Sequence, residues 1–101
     1  MERPLFYGKY RGIVTDTLDP LGVCRIRAKV PSVYGDAESS WANPCLPFAD
    51  KNMAIKHIPP VGSSVWIEFE NGDSNLPIWA GCFSGPHHSF YRAFPDIVVV
   101  R

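Results

Sequence analysis

The chain has 101 residues, the size of one domain, and 46% of them are hydrophobic and 13% aromatic, enough for a modest core. Ten basic and ten acidic residues cancel, so the chain lacks the excess of Lys and Arg that is typical of nucleic-acid binders. Since neither a signal-peptide pattern nor a run of about 18 apolar residues is visible, we expect a soluble protein made in the cytoplasm, without stable membrane insertion.

Two strands are predicted in the first third of the chain. Residues 7–15 combine β-branched and aromatic side chains with two glycines that allow a sharp bend. A cluster of turn residues at 16–22 separates them from residues 23–30, whose side chains alternate between apolar and basic. One face holds Cys24, Ile26, Ala28 and Val30, and the other is a basic stripe of Arg25, Arg27 and Lys29.

The middle of the chain is less regular. Residues 32–40 predict a polar loop, and 41–48 are interrupted by prolines, which permits at best an edge or irregular strand. Residues 50–60 fit neither the helical nor the strand period and predict a short helix or a long loop.

Residues 59–83 are typical of a hairpin, with a polar turn at 71–75 between two apolar strands. In the strand over 64–70, alternation predicts that Val65, Ile67 and Phe69 face inward and Trp66, Glu68 and Glu70 outward. In the strand over 77–83 it predicts Ile78, Ala80 and Cys82 inward and Trp79, Gly81 and Phe83 outward. Outward tryptophans indicate either a subunit contact or a cover formed by residues 84–95.

Five short strands in one domain predict an all-β fold, a small antiparallel barrel or sandwich. A break after Phe83 precedes a last apolar run at 97–100. We therefore expect a barrel over residues 1–83 and a C-terminal extension over 84–101.

The patterns that carry catalysis or metal binding are missing from the sequence. The three cysteines form no CxxC pair, the serines lie in turn-like stretches, and His87 and His88 are adjacent in a loop where side chains diverge. The carboxylates of Glu68 and Glu70 lie about 7 Å apart along a strand, which fits a glycosidase, but a short barrel offers no sugar cleft. We expect no enzyme, no metal site and no cofactor.

Several segments occur in the same order as in one known family: YGKYRGIVTDTLDPLGVCRIRAKVPSVYGD, SSWANPCLPFA, IPPVGSSVWIEFENGD and LPIWAGCF. Together they resemble the OB-fold domain at the base of the central spike of contractile phage tails. That family includes baseplate assembly protein V, tail-associated lysozymes and the VgrG spike of type VI secretion. The resemblance spans about residues 7–83, and PDIVVVR at the C-terminus is similar to the strand that leads into the spike needle.

The resemblance implies a five-stranded antiparallel OB barrel that forms a homotrimer on a trimeric hub protein, in a virion baseplate assembled in the host cytoplasm. It also implies a membrane-piercing tip, supplied by a separate protein or by the continuation of a longer spike, because no needle or lysozyme segment is present here. Candidate partner-interface residues are Arg25, Arg27, Lys29, Trp66, Trp79, Ile97 and Val99.

A second function stays open at this point, because OB folds also bind single-stranded nucleic acid by stacking bases on aromatic side chains in a basic groove. The basic stripe would supply the cations, and the aromatic candidates are Tyr7, Tyr10, Trp66 and Trp79. Zero net charge and the nearby Glu68 and Glu70 favour the structural role, for which nucleic acid is not an expected partner.

Overall fold

The computed structural model describes residues 3–46 and 58–84, which form a mostly β structure. Its elements are the strands β1 (Tyr10–Asp16), β2 (Arg27–Lys29), β3 (Asn43–Pro44), β4 (Ser64–Phe69) and β5 (Pro77–Cys82), the one-turn helix α1 (Pro31–Tyr34) and a 3₁₀ turn (Glu70–Gly72). Within these residues, no helix is long and apolar enough to cross a membrane. The predictions for 50–57, His87, His88, the run at 97–100, Ile97 and Val99 lie outside the described residues.

The strands form one curled five-stranded sheet in the order β2-β1-β4-β5-β3. The β1–β2, β1–β4 and β4–β5 pairs are antiparallel, but β3 runs parallel to β5, with Asn43 opposite Ile78. The predicted five-stranded β fold is therefore confirmed, whereas a purely antiparallel sheet is wrong. Side-chain alternation carries no information about strand direction, and the pairing of so short a strand is decided by long-range packing.

Two isolated pairings bring the ends of this sheet toward each other. The backbones of Ile26 and Ala42 exchange hydrogen bonds of 3.2 and 2.7 Å, and Lys29 pairs with Glu38. Residues beside both edge strands are thus joined, and the sheet curls into a half-barrel. These pairings satisfy backbone groups beside the edge strands, where unpaired groups favour aggregation.

The inside of the curl is the hydrophobic core, and most of the alternation predicted from the sequence is found there. The buried core residues are Val14, Ile26, Ala28, Val30, Ala42, Val65, Ile67, Phe69 and Trp79. Phe6, Tyr10, Val33, Tyr34 and Ile58 pack against this cluster at its margin. Cys24 departs from the predicted inward face: its φ of 66° lies in the left-handed region and its side chain is half-buried.

Trp79 belongs to the core, so the prediction that it faces outward is wrong. It is 7% exposed, lies opposite Ile67 in the β4–β5 register, and its indole N–H donates a 3.0 Å hydrogen bond to the carbonyl of Cys24. Cross-strand partners share a face of a sheet, so the buried Ile67 fixes Trp79 on the inside. Trp66 differs: it is half-buried and points away from the core.

A β-bulge explains why simple alternation failed on β5. Val65 pairs with Cys82 and Ile67 pairs with Trp79. Trp66, the single residue between Val65 and Ile67, therefore lies opposite two residues, Ala80 and Gly81. Gly81 has a φ of 135°, a conformation that side chains with a Cβ rarely adopt. A bulge shifts the phase of a strand by one residue, so Trp79 is buried where the sequence predicted Ile78 and Ala80 to face inward. Cys82, also predicted to face inward, is exposed.

Candidate interaction surfaces

Trp66, Phe83 and Arg11 form a stacked group on the outside of the sheet. Arg11 and Trp66 are cross-strand partners on β1 and β4, and the Trp66 and Phe83 ring centroids lie 4.4 Å apart at an interplanar angle of 33°. The Arg11 guanidinium carbon lies 5.6 Å from the Trp66 ring centroid and 5.0 Å from that of Phe83. Cation–π attraction and ring stacking hold these three side chains in one arrangement.

The stacked group continues along β1 into a larger surface. Ile13 is 51% exposed and lies beside the exposed Lys29 of β2. At the other end of the surface, the Lys9 amine lies 3.2 Å from the Glu68 carboxylate. We call this surface the outer face; it consists of Lys9, Arg11, Ile13, Lys29, Trp66, Glu68 and Phe83.

The outer face is both apolar and cationic. Glu68 compensates Lys9, but no carboxylate in residues 3–46 or 58–84 lies within 4 Å of the charged nitrogens of Arg11 or Lys29. The guanidinium of Arg11 lies over two aromatic rings and beside no carboxylate of the described residues, which leaves N–H groups available to a partner. A partner with an apolar patch and a carboxylate would therefore match this surface.

The basic stripe predicted from the sequence is largely engaged within the chain. The Arg25 guanidinium lies 2.7 Å from the Asp19 carboxylate, and the Arg27 Nε lies 3.8 Å from that of Glu38 and donates to the Ser39 carbonyl. Both guanidinium groups also lie over the Trp41 ring, 5.7 and 5.8 Å from its centroid. Lys29 is the member of the stripe that stays exposed and available to an acidic partner.

The loop between β1 and β2, residues 17–26, is organised by one carboxylate. Asp19 accepts hydrogen bonds from the backbone N–H groups of Leu21, Val23 and Arg25 at 3.0 to 3.2 Å, and its side chain is 3% exposed. The Arg25 guanidinium, helped by those N–H groups, holds the pKa of Asp19 well below its usual range, although burial opposes this shift. Asp19 in turn raises the pKa of Arg25. Both groups are therefore charged at every physiological pH.

The same loop carries exposed aliphatic side chains. Leu18 is 84% exposed, Leu21 69% and Val23 51%. Their exposure was not predicted from the sequence, where residues 16–22 indicated only a turn. The available signal was the presence of leucines among turn residues that usually are small or polar.

The structure thus separates the predicted interface residues instead of joining them. Trp66 and Lys29 lie on the outer face, Arg25 and Arg27 surround Trp41, and Trp79 is in the core. Arg11, Ile13 and Phe83 complete the outer face but were not predicted as interface residues. Alternation along the strand predicted over residues 7–15 could have indicated Arg11 and Ile13, because it places them on the side opposite the buried Val14.

Comparison with known protein families decides what this barrel is. A model of the Type VI secretion system/phage-baseplate injector OB domain matches residues 10–83, most of the chain. The chain belongs to this family. The match confirms the resemblance described above and includes the whole described sheet. No curated protein matched the chain.

An injector OB domain has a structural role in a phage baseplate or a type VI secretion injector, and the family is not a known enzyme family. The domain is accordingly a component of a phage tail or a related injector, where it assembles with other tail proteins. Surfaces that contact neighbours are therefore the functional sites to look for.

Proposed function

We propose that this injector OB domain forms the base of the central spike, as a homotrimer that links a trimeric baseplate hub to a membrane-piercing tip. The observation that carries the proposal is the outer face, a surface of aromatic, aliphatic and uncompensated cationic side chains on a domain whose family works by assembly.

The chemistry of the outer face supports a protein neighbour. Trp, Tyr and Arg are the residues that most often supply binding free energy at protein interfaces, especially where neighbouring residues exclude water. Trp66 and Arg11 are held in place by Phe83, so that little side-chain entropy would be lost on contact. The exposed Lys29 adds a charge that could select an acidic partner surface.

The competing nucleic-acid function is disfavoured by the same geometry. Arg25 and Arg27 already pair with carboxylates, and Trp79 is buried, so three of the expected phosphate or base contacts are engaged elsewhere. A salt-sensitive complex of the chain with a single-stranded oligonucleotide would favour the nucleic-acid function.

The C-terminal segment has a separate part in this proposal. Residues 84–101 would lead from the barrel toward the tip, with Ile97 and Val99 in contact with the neighbouring strands or with a tip protein. Force from sheath contraction would then pass from the hub through the barrel to this segment.

Light scattering coupled to gel filtration tests the proposal on the full chain, alone and with the purified hub protein of the same tail. We expect three copies per complex and a stable assembly with the hub. Trp66→Asp should weaken assembly, whereas Tyr7→Asp, at an exposed aromatic residue outside the outer face, should not. A chain that stays monomeric and does not bind the hub would contradict the proposal.

A further inference from the structure

The β1–β2 loop is a preformed apolar surface. Leu18, Leu21 and Val23 lie within six residues of one another and are each more than half exposed. Exposed apolar side chains that form one patch mark interaction sites. Its backbone is held by the Asp19 hydrogen bonds described above and by the Asp16 carboxylate, which accepts the Leu18 N–H at 2.9 Å. A loop that is already ordered loses little conformational entropy when it binds.

The charge of the loop indicates which kind of surface it fits. Asp19 is compensated by Arg25, but within the part of the chain that the structure describes no cation lies within 4 Å of the Asp16 carboxylate. The one cation among residues 17–26 is Arg25, which is paired with Asp19, so an anionic membrane surface would not attract this loop. An apolar surface with a positive charge would complement it.

The outer face of this same chain has those properties. It offers the exposed Ile13 and the Trp66 ring as apolar contacts and the uncompensated Arg11 and Lys29 as cations. Within one copy, Arg11 lies five residues and Ile13 three residues from Asp16 along β1, about 17 and 10 Å. The Asp16 carboxylate and the Arg11 guanidinium of the same copy therefore do not pair. Leu18, at 84% exposure, does not cover its own barrel.

We propose that the β1–β2 loop of one copy docks onto the outer face of the next copy, with Leu18 and Leu21 against Ile13 and Trp66 and with Asp16 toward Arg11. The two surfaces differ, so the contact is heterologous, and such a contact forms a closed ring where the rotation between copies is a simple fraction of a full turn, here one third. The inference rests on the proposed function and deepens it by naming the contact that would hold the trimer together.

Light scattering of the full chain and of variants tests the contact. Leu18→Asp removes the apolar loop contact and Ile13→Asp that of the outer face. We expect each to raise the concentration at half-assembly about ten-fold or more, because each places a carboxylate in an apolar contact. Arg11→Glu repeats the test on the outer face without changing an aliphatic residue. Leu76→Asp, an exposed leucine beside the 3₁₀ turn at the opposite end of the barrel, is the matched control and should assemble normally.

Mixing the two variants distinguishes this contact from a symmetric one. The Leu18→Asp copy keeps an intact outer face and the Ile13→Asp copy an intact loop, so the mixture should give a 1:1 complex that cannot close. Circular dichroism confirms that each variant is folded before it is mixed.

The outcomes separate the contact from the proposed function. Trimers that persist in folded Leu18→Asp and Ile13→Asp overturn the contact but leave the spike-base role standing, and so does a mixture that stays monomeric. If Leu18→Asp keeps an intact trimer but loses hub binding, the loop contacts the hub and the proposed contact between copies is overturned. A wild-type chain that neither trimerises nor binds the hub overturns both.

Discussion

Replacing each of the two β-hairpin tryptophans by alanine should have opposite consequences, because Trp79 lies in the core and Trp66 lies on the outer face. Trp79→Ala removes a side chain that is 7% exposed and abolishes its hydrogen bond to the Cys24 carbonyl. Truncating a buried Trp costs about 3–5 kcal/mol of unfolding free energy. A domain of this size has about 5–15 kcal/mol in total, so Trp79→Ala should be barely folded at room temperature or should melt far below the wild type.

Trp66→Ala should be much milder for the fold. It removes the stacking contact with Phe83, worth about 0.5–1.5 kcal/mol, and the cation–π contact with Arg11, worth about 0.5–1 kcal/mol at an exposed site. The expected loss is about 1–2.5 kcal/mol, with the barrel intact. Its main effect should be on assembly, where an aromatic anchor would be missing.

Urea unfolding followed by circular dichroism measures both values without depending on tryptophan fluorescence. The titrations are run at a concentration at which light scattering finds monomers for all three proteins, because assembly would add to apparent stability. Similar slopes in urea would show that the variants unfold the same structure. A Trp66→Ala loss equal to or larger than that of Trp79→Ala would refute the assignment of the two side chains to the surface and the core.

Three further predictions concern the interior and two titrating groups. Gly12→Ala should cost about 1–3 kcal/mol in urea unfolding, because a Cβ there would lie 3.0 Å from the Ile67 side chain and 3.2 Å from a backbone oxygen; an unchanged midpoint would contradict this close approach. Asp19→Asn should lower the melting temperature at neutral pH. The lowered pKa of Asp19 contributes stability that is present above the ordinary Asp pKa and is lost on acidification. The difference in melting temperature from the wild type should therefore shrink as the pH falls below about 4. A melting-temperature difference that grows in acid would contradict this stabilising role of the Asp19 carboxylate. Burial, reinforced by the nearby Asp73 charge, raises the pKa of Tyr34 to about 12, so wild-type stability should fall as the pH rises from about 10, more than that of Tyr34→Phe; equal curves would contradict it.

Much of this fold could be predicted from local patterns. Alternation identified the inward faces of the strands that contain Ile26 and Ile67, because burial on one side of a sheet imposes a period of two. The hairpin of β4 and β5 was evident from its polar turn. These features depend on residues close in sequence, and the structure confirms them.

The rest depends on contacts that the sequence does not display locally. The bulge at Ala80 and Gly81 reversed the expected orientation of Trp79, and the glycine inside an apolar strand was its available signal. The parallel pairing of β3 and the internal ion pair of Arg25 with Asp19 arise from long-range packing and loop geometry. For the same reason only part of the outer face was predicted. The sequence indicated that Trp66 faces outward, but Arg11 lies beside it only because β1 pairs with β4.

Electron cryomicroscopy of the intact tail is the most direct measurement of the central claim that this barrel is the base of an axial spike. We expect three copies of the barrel around the tail axis, between hub and tip, with each outer face covered by a neighbouring chain. Barrels that are absent from the particle, that lie away from the axis, or whose Trp66 surface faces solvent would contradict it.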